Sequence, residues 1–340
     1  MISLDKGLVG GKVLGDVRQR HRIYGKFIDQ LDIIVLTTRG FEIQKLSEKV
    51  TAYPTNSLFK IFYFFDVLRI ARTLYAKSKY DLVVTQDPHL TGLLGKDLKQ
   101  KFGSKLLVHF HGDFRFGTIA RYVIGAADGI RVMSTGQKEK LVSLGVNPER
   151  IRVIATPVDV ERFANFQPKA AKSEKKIILA VGRPVSVKGF EVLQKAREMV
   201  QKKKGSEAAF WIIGNERISW ADKVFGNVST EEMPEYYYQS YLVALPSYSE
   251  SFGKVLVEAN ACGKPVVATA TTGAREIVKD GYNGYLVPIG DAEALAEKII
   301  YLLEHEVIAF EMGKNGKKLV REKFTGNTEN IVNFWKEIVQ

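Results

Sequence analysis

The feature that most constrains the fold is a regular alternation between short apolar runs and helical stretches. Nine runs rich in β-branched residues predict strands at Asp32–Thr37, Leu82–Thr85, Leu106–Phe110, Gly129–Met133, Ile151–Ile154, Lys176–Val181, Phe210–Ile213, Tyr241–Leu245 and Pro265–Ala268. Their near-continuous apolar character indicates burial on both faces, which is typical of parallel sheets. Helices are predicted between them, for example over Phe190–Lys204, Lys254–Ala261 and Ala292–His305. The alternation therefore predicts an α/β fold with doubly wound parallel sheets.

The length of the chain and one polar segment predict two domains. Domains usually hold about 100–200 residues, and the chain has 340. The segment Phe163–Lys176 is polar and basic and separates two groups of predicted strands. We expect one Rossmann-like domain over residues 1–165 and a second over residues 170–325, facing each other across a cleft. Ligands of such sheets bind at the carboxyl ends of the strands.

Composition narrows the class of protein and its location. Cys262 is the only cysteine, which excludes an intramolecular disulfide framework. No apolar run reaches the length of about 18 residues that spans a bilayer, and the first residues show no signal-peptide pattern. We therefore expect a cytoplasmic protein. The net charge of +12 favours anionic partners such as phosphates, acidic membranes or nucleic acid, although a solvated basic surface explains it equally well.

The strongest motif is the segment Pro246–Thr269, whose pattern predicts a loop, a helix and the next strand. Glu250 lies in the loop and Gly253 at the start of the helix. The free N–H groups of a helix start bind anions, and a glycine lets a ligand approach them closely. Glu258 follows in the helix, where a carboxylate accepts hydrogen bonds from a vicinal diol such as a ribose. The alternative interpretation is an ordinary βα unit with a surface glutamate.

A second motif, Gly182-Arg183 followed by Lys188-Gly189, lies between the predicted strand Lys176–Val181 and the next helix. Arginine offers a bidentate fork to phosphate oxygens and lysine a point charge. Both cations would stabilise a diphosphate leaving group as its charge develops. A basic turn with no ligand is the alternative.

These two motifs, in this order, resemble those of the retaining glycosyltransferases of the two-Rossmann-domain (GT-B) type, in particular the large family four. The resemblance extends over nearly the whole chain and is strongest from Lys176 to Gly290. It implies sugar transfer from a nucleoside-diphosphate donor, with UDP or GDP as the nucleotide, and retention of the anomeric configuration. It also implies that the last helix, residues 326–340, packs back on the N-terminal domain.

The resemblance assigns roles by position. Arg183 and Lys188 would hold the donor diphosphate, Glu250 the sugar hydroxyls and Glu258 the ribose. The candidate donor-binding residues are Gly10, Gly11, Gly182, Arg183, Lys188, Asn215, Glu250, Ser251, Phe252, Gly253, Lys254 and Glu258. The candidate catalytic residues are His111, Glu250, Arg183 and Lys188.

The N-terminal half contributes two weaker signals. The strand Leu106–Phe110 runs into His111-Gly112, which resembles the family's histidine beside the reaction centre. His109 lies two residues earlier on the same face and remains an alternative, as does a purely structural role for either ring. Gly10-Gly11 resembles the family's glycine loop beside the diphosphate. The basic stretch that follows is either an acceptor site or a solvated helix face.

The sequence offers no dedicated metal or cofactor motif. An Asp-x-Asp triplet, which commonly holds a divalent metal against a diphosphate, is absent. We therefore expect no metal and no cofactor, with Arg183 and Lys188 neutralising the charge instead. The glycine fingerprint of dinucleotide-binding proteins and any nucleic-acid recognition motif are also absent.

The aromatic segment Leu58–Lys79 contains several phenylalanines and basic residues. It would suit a peripheral contact with a membrane that carries a lipid-linked acceptor, but a stripe of this kind usually packs against a sheet, and we favour core packing. The overall prediction is a retaining, metal-independent glycosyltransferase acting on a saccharide or lipid-linked acceptor. The alternatives are a non-catalytic nucleotide-sugar-binding protein and a GT-B sugar epimerase or phosphorylase.

Overall fold

The architecture consists of two compact units. A computed structural model describes residues 1–10, 16–112, 116–168, 173–183, 185–214 and 216–340. Unit 1 comprises Met1–Ala155 and Gly326–Gln340, and unit 2 comprises Thr156–Thr325. The chain therefore passes from unit 1 to unit 2 after Ala155 and returns to unit 1 at Gly326.

The strands of the described residues are short and mostly buried. In chain order they are β1 (Ile2–Ser3), β2 (Leu31–Val35), β3 (Gln44–Ser47), β4 (Val50–Pro54), β5 (Leu82–Thr85), β6 (Lys105–His109), β7 (Gly129–Val132), β8 (Ile151–Val153), β9 (Lys176–Val181), β10 (Ala208–Ile213), β11 (Lys223–Phe225), β12 (Leu242–Leu245), β13 (Val266–Thr269) and β14 (Gly284–Val287).

Helices alternate with these strands along the described part of the chain. In chain order they are α1 (Val17–Tyr24), α2 (Tyr63–Tyr75), α3 (Leu90–Phe102), α4 (Thr118–Ala126), α5 (Thr135–Ser143), α6 (Val160–Ala164), α7 (Phe190–Lys204), α8 (Met233–Gln239), α9 (Lys254–Ala261), α10 (Thr272–Ile277), α11 (Ala292–Glu304), α12 (Glu306–Phe324) and α13 (Asn327–Val339).

Eight of the described strands form the sheet of unit 1, in the order β3-β4-β2-β1-β5-β6-β7-β8. Every neighbouring pair is parallel except β3 and β4. One face of the sheet packs against α2, α3 and α4, and the other packs against α1 and α13. Because helices cover both faces, the central strands are apolar on both sides.

Six of the described strands form the sheet of unit 2, in the order β11-β10-β9-β12-β13-β14, and all of their pairs are parallel. Apolar side chains of α7, α11 and α12 pack with this sheet in one core. The predicted α/β fold with parallel sheets is confirmed. The predicted linker Phe163–Lys176 lies within unit 2, and its residues 169–172 lie outside the described residues.

All nine predicted strands occur, with ends within two residues of the prediction. Apart from these nine and the two-residue β1, the described strands are β3, β4, β11 and β14, which were not predicted. β4 alternates buried and half-buried residues, and β11 lies at an edge of its sheet. A search for continuous apolar runs finds doubly buried strands and passes over strands of this kind.

The predicted core packing of the aromatic segment is confirmed for one face of α2 and is wrong for the phenylalanines of the segment. In α2 the buried face consists of Tyr63, Val67, Leu68, Ala71 and Leu74. These positions recur with helical spacing, which leaves the neighbouring positions facing outward. The phenylalanines fall at those positions and are exposed.

Candidate active site

The loops that carry most of the predicted donor residues follow neighbouring strands of unit 2. β9 pairs with β12, and β12 pairs with β13, all in parallel. Because the carboxyl ends of parallel strands lie at one edge of a sheet, the loops Gly182–Gly189, Pro246–Gly253 and Ala270–Thr271 share that edge. Unit 2 therefore brings the two sequence motifs together.

Two glycines let these loops touch each other. Gly189 has a φ of +62°, and a Cβ atom there would lie 2.1 Å from the carbonyl oxygen of Pro246. A Cβ atom on Gly273 would lie 2.4 Å from the backbone nitrogen of Phe252. The backbone N–H of Gly273 also donates to the carbonyl oxygen of Glu250 at 2.7 Å. Only glycine fits such close backbone approaches, so the loops hold one another in place.

Lys188 and Glu250 meet at the centre of this edge. The Lys188 ammonium forms an ion pair and hydrogen bond with Oε1 of Glu250. The Ser247 hydroxyl donates to the same oxygen at 2.8 Å. Both ionised side chains are largely buried. A charge-assisted bond in such surroundings is stronger and more rigid than an exposed ion pair, so the two groups form a preorganised unit.

Glu258 is buried in α9 and is held on both oxygens. Its Oε2 accepts a hydrogen bond of 2.7 Å from the Tyr237 hydroxyl, and its Oε1 lies 3.4 Å from Nζ of Lys254. Burial, together with the negative charge of Glu258, raises the pKa of Tyr237 well above its usual value. The tyrosine therefore stays protonated and serves as a permanent donor to the carboxylate.

The start of α9 lies at the same edge. Gly253 precedes the helix with a φ of +82°, and Lys254 is its first residue. The first N–H groups of a helix have no intrahelical acceptor and carry partial positive charge. Phe252 is buried and packs edge-to-face against Phe324 at 5.5 Å between ring centroids. This packing anchors the loop just before the first turn of α9.

The remaining candidates of unit 2 are less constrained. Arg183 is exposed and forms no ion pair with any residue that the structure describes. Gly182 extends the pairing between β9 and β10 by one hydrogen bond, since its N–H donates to the carbonyl oxygen of Ile213 at 2.9 Å. Asn215 of unit 2 and Gly11 of unit 1 lie outside the described residues.

Unit 1 places His111 in a cavity of about 620 Å³ at the carboxyl edge of its own sheet. Residues that follow β1, β5 and β6 line the cavity, together with Arg20 of α1. Among the lining residues, Asp87 lies two residues after the end of β5 and His111 two residues after the end of β6. Gly10 lies elsewhere, at the end of a short 3-10 turn, where it has a φ of +95° and is exposed.

His109 has a different environment from His111, although the two rings lie edge-to-face at 5.7 Å between centroids. His109 is buried, with Nη1 of Arg131 3.3 Å from its Nδ1 and Nε1 of Trp335 3.4 Å from its Nε2. Both neighbours only donate, and a neutral imidazole has one acceptor nitrogen. Only one of the two contacts is therefore a hydrogen bond at any time. A protonated ring has no acceptor nitrogen and would accept a hydrogen bond from neither neighbour.

The charges around His109 follow from burial. Burial, reinforced by the Arg131 charge, lowers the pKa of His109 well below its usual value. Burial also lowers the pKa of Arg131 to about 10, which leaves the guanidinium charged at neutral pH. Arg131 donates from Nε to the carbonyl oxygen of Ile154 and from Nη2 to that of Ala155, each at 2.9 Å. It thus holds the last residues of unit 1 before the chain passes to unit 2.

Sequence reasoning missed the partners of the candidate residues. Tyr237, Arg131 and Trp335 belong to no predicted motif, and the fold brings them to partners that are distant in the chain. Ser247 lies within the Pro246–Thr269 motif, three residues before Glu250, but its bond to Glu250 was not predicted. The contact between Lys254 and Glu258 is an exception, because their spacing of four residues in a predicted helix indicates it. Within the described ranges, no group of three or more His, Cys, Asp or Glu side chains is arranged to hold a metal ion.

Two protein families match consecutive parts of the chain. Residues 29–162 match the family described as Glycosyltransferase Family 4. Residues 161–319 match the family described as Glycosyl transferases group 1. Together the two matches extend over most of both units and include the two motifs of unit 2.

Individual relatives agree with this placement. An uncharacterized glycosyltransferase of Methanocaldococcus jannaschii is 27% identical over 77% of this chain and 76% of its own length. A D-inositol 3-phosphate glycosyltransferase of a Mycobacterium species is 32% identical over 53% of this chain. The matched part spans 46% of that enzyme.

The fold also matches solved structures. The Anabaena protein HepE, crystallised with UDP and glucose, superposes with a TM-score of 0.76 over 99% of both chains at 17% sequence identity. That likeness establishes the fold. The consecutive family matches and the two parallel-sheet units together show that the chain belongs to the group 1 and family 4 glycosyltransferases of GT-B type and is a hexosyltransferase.

Proposed function

We propose that the chain transfers a hexose from a nucleoside-diphosphate sugar to a saccharide or lipid-linked acceptor, with retention of configuration and without a metal. The observation that carries the proposal is the unit formed by Lys188, Glu250 and Ser247 at the carboxyl edge of unit 2. It combines a cation for phosphate with a carboxylate for sugar hydroxyls at one point.

The Lys188–Glu250 pair suits the junction between the sugar and the diphosphate. An ammonium has three donors, so its bond to Glu250 leaves two for phosphate oxygens. A carboxylate has about four acceptor sites, and the two bonds to Oε1 leave capacity for sugar hydroxyls. We propose that Lys188 contacts the diphosphate while Glu250 fixes the sugar beside it.

The start and the middle of α9 complete the proposed donor site. The backbone N–H groups at Gly253 and Lys254 would face the diphosphate, as anions favour a helix start. Glu258, four residues into the helix from Lys254, would accept hydrogen bonds from the ribose diol. The bond from Tyr237 and the contact with Lys254 orient this carboxylate before the nucleotide arrives.

Charge on the leaving nucleotide would be neutralised by side chains. The leaving diphosphate gains negative charge in the transition state, and preorganised cations lower that energy most when their position is fixed. Lys188 is fixed by Glu250, while exposed Arg183 is able to move onto the ligand. Chelation with EDTA is therefore expected to leave the rate unchanged, and a loss of activity that Mg²⁺ restores would contradict the metal-free proposal.

Retention would follow if a diphosphate oxygen deprotonates the acceptor on the face from which the leaving group departs. No carboxylate is proposed as a covalent nucleophile, because Glu250 is already engaged by Lys188 and Ser247. We propose that His111 contacts the donor sugar. Product stereochemistry determined by NMR tests this step, and inversion would overturn it.

The decisive experiment is a donor screen read by mass spectrometry, with UDP-sugars first because HepE binds UDP. We expect one nucleotide sugar to be hydrolysed slowly and transferred to an acceptor. Lys188→Met should lower kcat/KM at least 100-fold, a loss typical of removing one group that stabilises charge in the transition state. Lys195→Met, on the exposed side of α7, is the matched control and should retain full activity.

The same screen separates the alternative functions. Binding of a nucleotide sugar without hydrolysis or transfer for any acceptor would favour a non-catalytic binding protein. Release of a sugar phosphate in the presence of inorganic phosphate would favour a phosphorylase, and isomerised donor would favour an epimerase. Each of these results would replace the proposed transfer reaction.

A further inference from the structure

An exposed apolar surface lies on unit 1 at the start of α2. It consists of Phe59, Ile61, Phe62, Phe64 and Phe65, and we call it the aromatic face. Phe59 is 62% exposed, Ile61 79% and Phe65 66%. The ring centroids of Phe64 and Phe65 lie 6.0 Å apart, and those of Phe59 and Phe62 6.4 Å, so the four rings form two pairs along one short segment. Soluble proteins rarely expose several neighbouring aromatic side chains to water, because hydrating them is unfavourable. An exposed cluster of this kind therefore marks an interaction surface.

Basic side chains surround the aromatic face. Arg69 and Arg72 lie four and seven residues after Phe65, so all three share the outer side of α2. Lys60 lies within the face itself, and Nζ of Lys101 from α3 lies 5.5 Å from the Phe64 ring centroid. All of these basic side chains, including that of Lys101, belong to exposed residues.

The surrounding charge is strongly one-sided. The segment from Leu58 to Lys79 contains five basic residues and one acidic residue, Asp66. Asp66 pairs with Arg69 at 3.2 Å, and Asp97 of α3 pairs with Lys101 at 3.0 Å. Lys60, Arg72, Lys77 and Lys79 then remain as excess positive charge. A protein partner would have to match both a flat aromatic patch and this charge, whereas an anionic bilayer offers both at once.

We propose that the aromatic face docks unit 1 on the surface of an anionic lipid bilayer. The phenylalanines and Ile61 enter the boundary between headgroups and acyl chains, and the basic residues bind the lipid phosphates. None of the helices in the described ranges combines the length and apolar character that spanning a bilayer requires. The contact is therefore interfacial and reversible. It stands independently of the donor chemistry of unit 2.

Vesicle co-sedimentation tests the docking. The wild-type chain should sediment with vesicles of phosphatidylcholine and phosphatidylglycerol, and much less with phosphatidylcholine alone. Binding should weaken as salt is raised, because the basic residues act within a Debye length of the surface. The variant Ile61→Ser/Phe65→Ser should bind the anionic vesicles about tenfold more weakly, and Arg69→Gln/Arg72→Gln should lose a similar factor.

Unit 2 provides a matched control. Val307 and Phe310 of α12 are 78% and 71% exposed, close to the values of Ile61 and Phe65. Val307→Ser/Phe310→Ser removes equivalent apolar surface and should bind vesicles like the wild type. All of these variants change exposed side chains, so their melting temperatures and their hydrolysis of a soluble nucleotide sugar should match the wild type.

Three results would overturn the docking. The first is a wild-type chain that stays in the supernatant with anionic vesicles at low salt. The second is equal binding of the α2 and α12 variants. The third is a wild-type dimer in light scattering that Ile61→Ser/Phe65→Ser converts to a monomer while vesicle binding is unchanged, which would assign the face to a second copy of the chain.

Discussion

The two units share one architecture but stabilise their charged side chains differently. In unit 2 the cation of Lys188 is paired with a carboxylate at the edge of the sheet, and its side chain keeps 18% of its surface exposed. In unit 1 the cation of Arg131 is fully buried, and its described partners are backbone carbonyl groups, a thioether and an imidazole. The first arrangement keeps charge available for a ligand. The second uses charge to hold backbone together, with the neighbouring histidine kept neutral.

The largest expected difference between the two units is the loss of unfolding free energy when a glycine is replaced by alanine. Gly189→Ala in unit 2 should lower the free energy of unfolding by about 4 kcal/mol, because its Cβ atom would collide with the Pro246 carbonyl at a positive φ. Gly10→Ala in unit 1 places a Cβ atom that has no atom of the described residues within 4 Å, and it should cost only about 1 kcal/mol of backbone strain. Urea unfolding measures both. Equal losses would mean that the loop contact in unit 2 is loose.

Replacing each cation by methionine should sharpen the contrast. Arg131→Met should lower the free energy of unfolding by about 3 kcal/mol, because the carbonyl groups of Ile154 and Ala155 lose their donors inside the protein. Lys188→Met should cost about 1 kcal/mol, since Glu250 keeps the Ser247 bond and some access to water. The same urea series measures both variants. A larger loss for Lys188→Met would reverse the assigned roles.

Acid should weaken unit 1 through its buried histidines. Burial, with a contribution from Arg20, lowers the pKa of His21 to about 3, from about 6.5. The native state therefore binds fewer protons than the unfolded state between these values, and stability is fully present above about pH 6.5 and falls as the pH falls. His21 alone should cost about 2 kcal/mol between pH 6.5 and pH 5.

The control for this pH dependence is His21→Asn, whose side-chain amide replaces the donor that faces the Val17 carbonyl. The variant should show a smaller loss of unfolding free energy over the same pH range. Unit 2 contains a single histidine, the exposed His305, so hydrogen exchange should show earlier acid opening in unit 1. An unchanged slope in His21→Asn would contradict the neutral, buried state of His21.

The smallest effect is expected for the hydroxyl that orients Glu250. Ser247→Ala removes one of the two described bonds to Oε1 and should lower kcat/KM for the donor about fivefold, the equivalent of about 1 kcal/mol. Ser143→Ala, on an exposed helix end of unit 1, provides the control and should have no effect on kcat/KM. A loss as large as that of Lys188→Met would show that the serine contacts the substrate itself.

Sequence patterns identified the doubly buried strands and the helix at Lys254 because continuous apolar runs and a glycine before a helix are local signals. The edge strand β11 and the alternating strand β4 were missed because partial burial leaves a mixed pattern. The phenylalanines of α2 were predicted to be buried because they are hydrophobic, but they are exposed. Residues of an interaction surface are an exception to the rule that hydrophobic side chains are buried.

The sequence predicted which charged residues belong to the candidate site, but it did not predict how they pair. The motif spacing placed Lys188 and Glu250 on one sheet edge, but nothing in the sequence showed that they bond to each other. That contact depends on the close approach of Gly189 to Pro246, which joins segments separated by more than fifty residues. The Tyr237–Glu258 bond was equally invisible, because it joins two helices through packing.

The position of α13 has a consequence for the order of assembly during synthesis. Its residues Ile331, Val332, Phe334 and Trp335 lie in the core of unit 1, although they follow the whole of unit 2 in the chain. A ribosome synthesises the sheet of unit 1 first, yet one of its faces is covered only in part, by α1, until these last residues emerge. Unit 2, whose segments are contiguous, is able to finish folding while unit 1 still waits for its final helix.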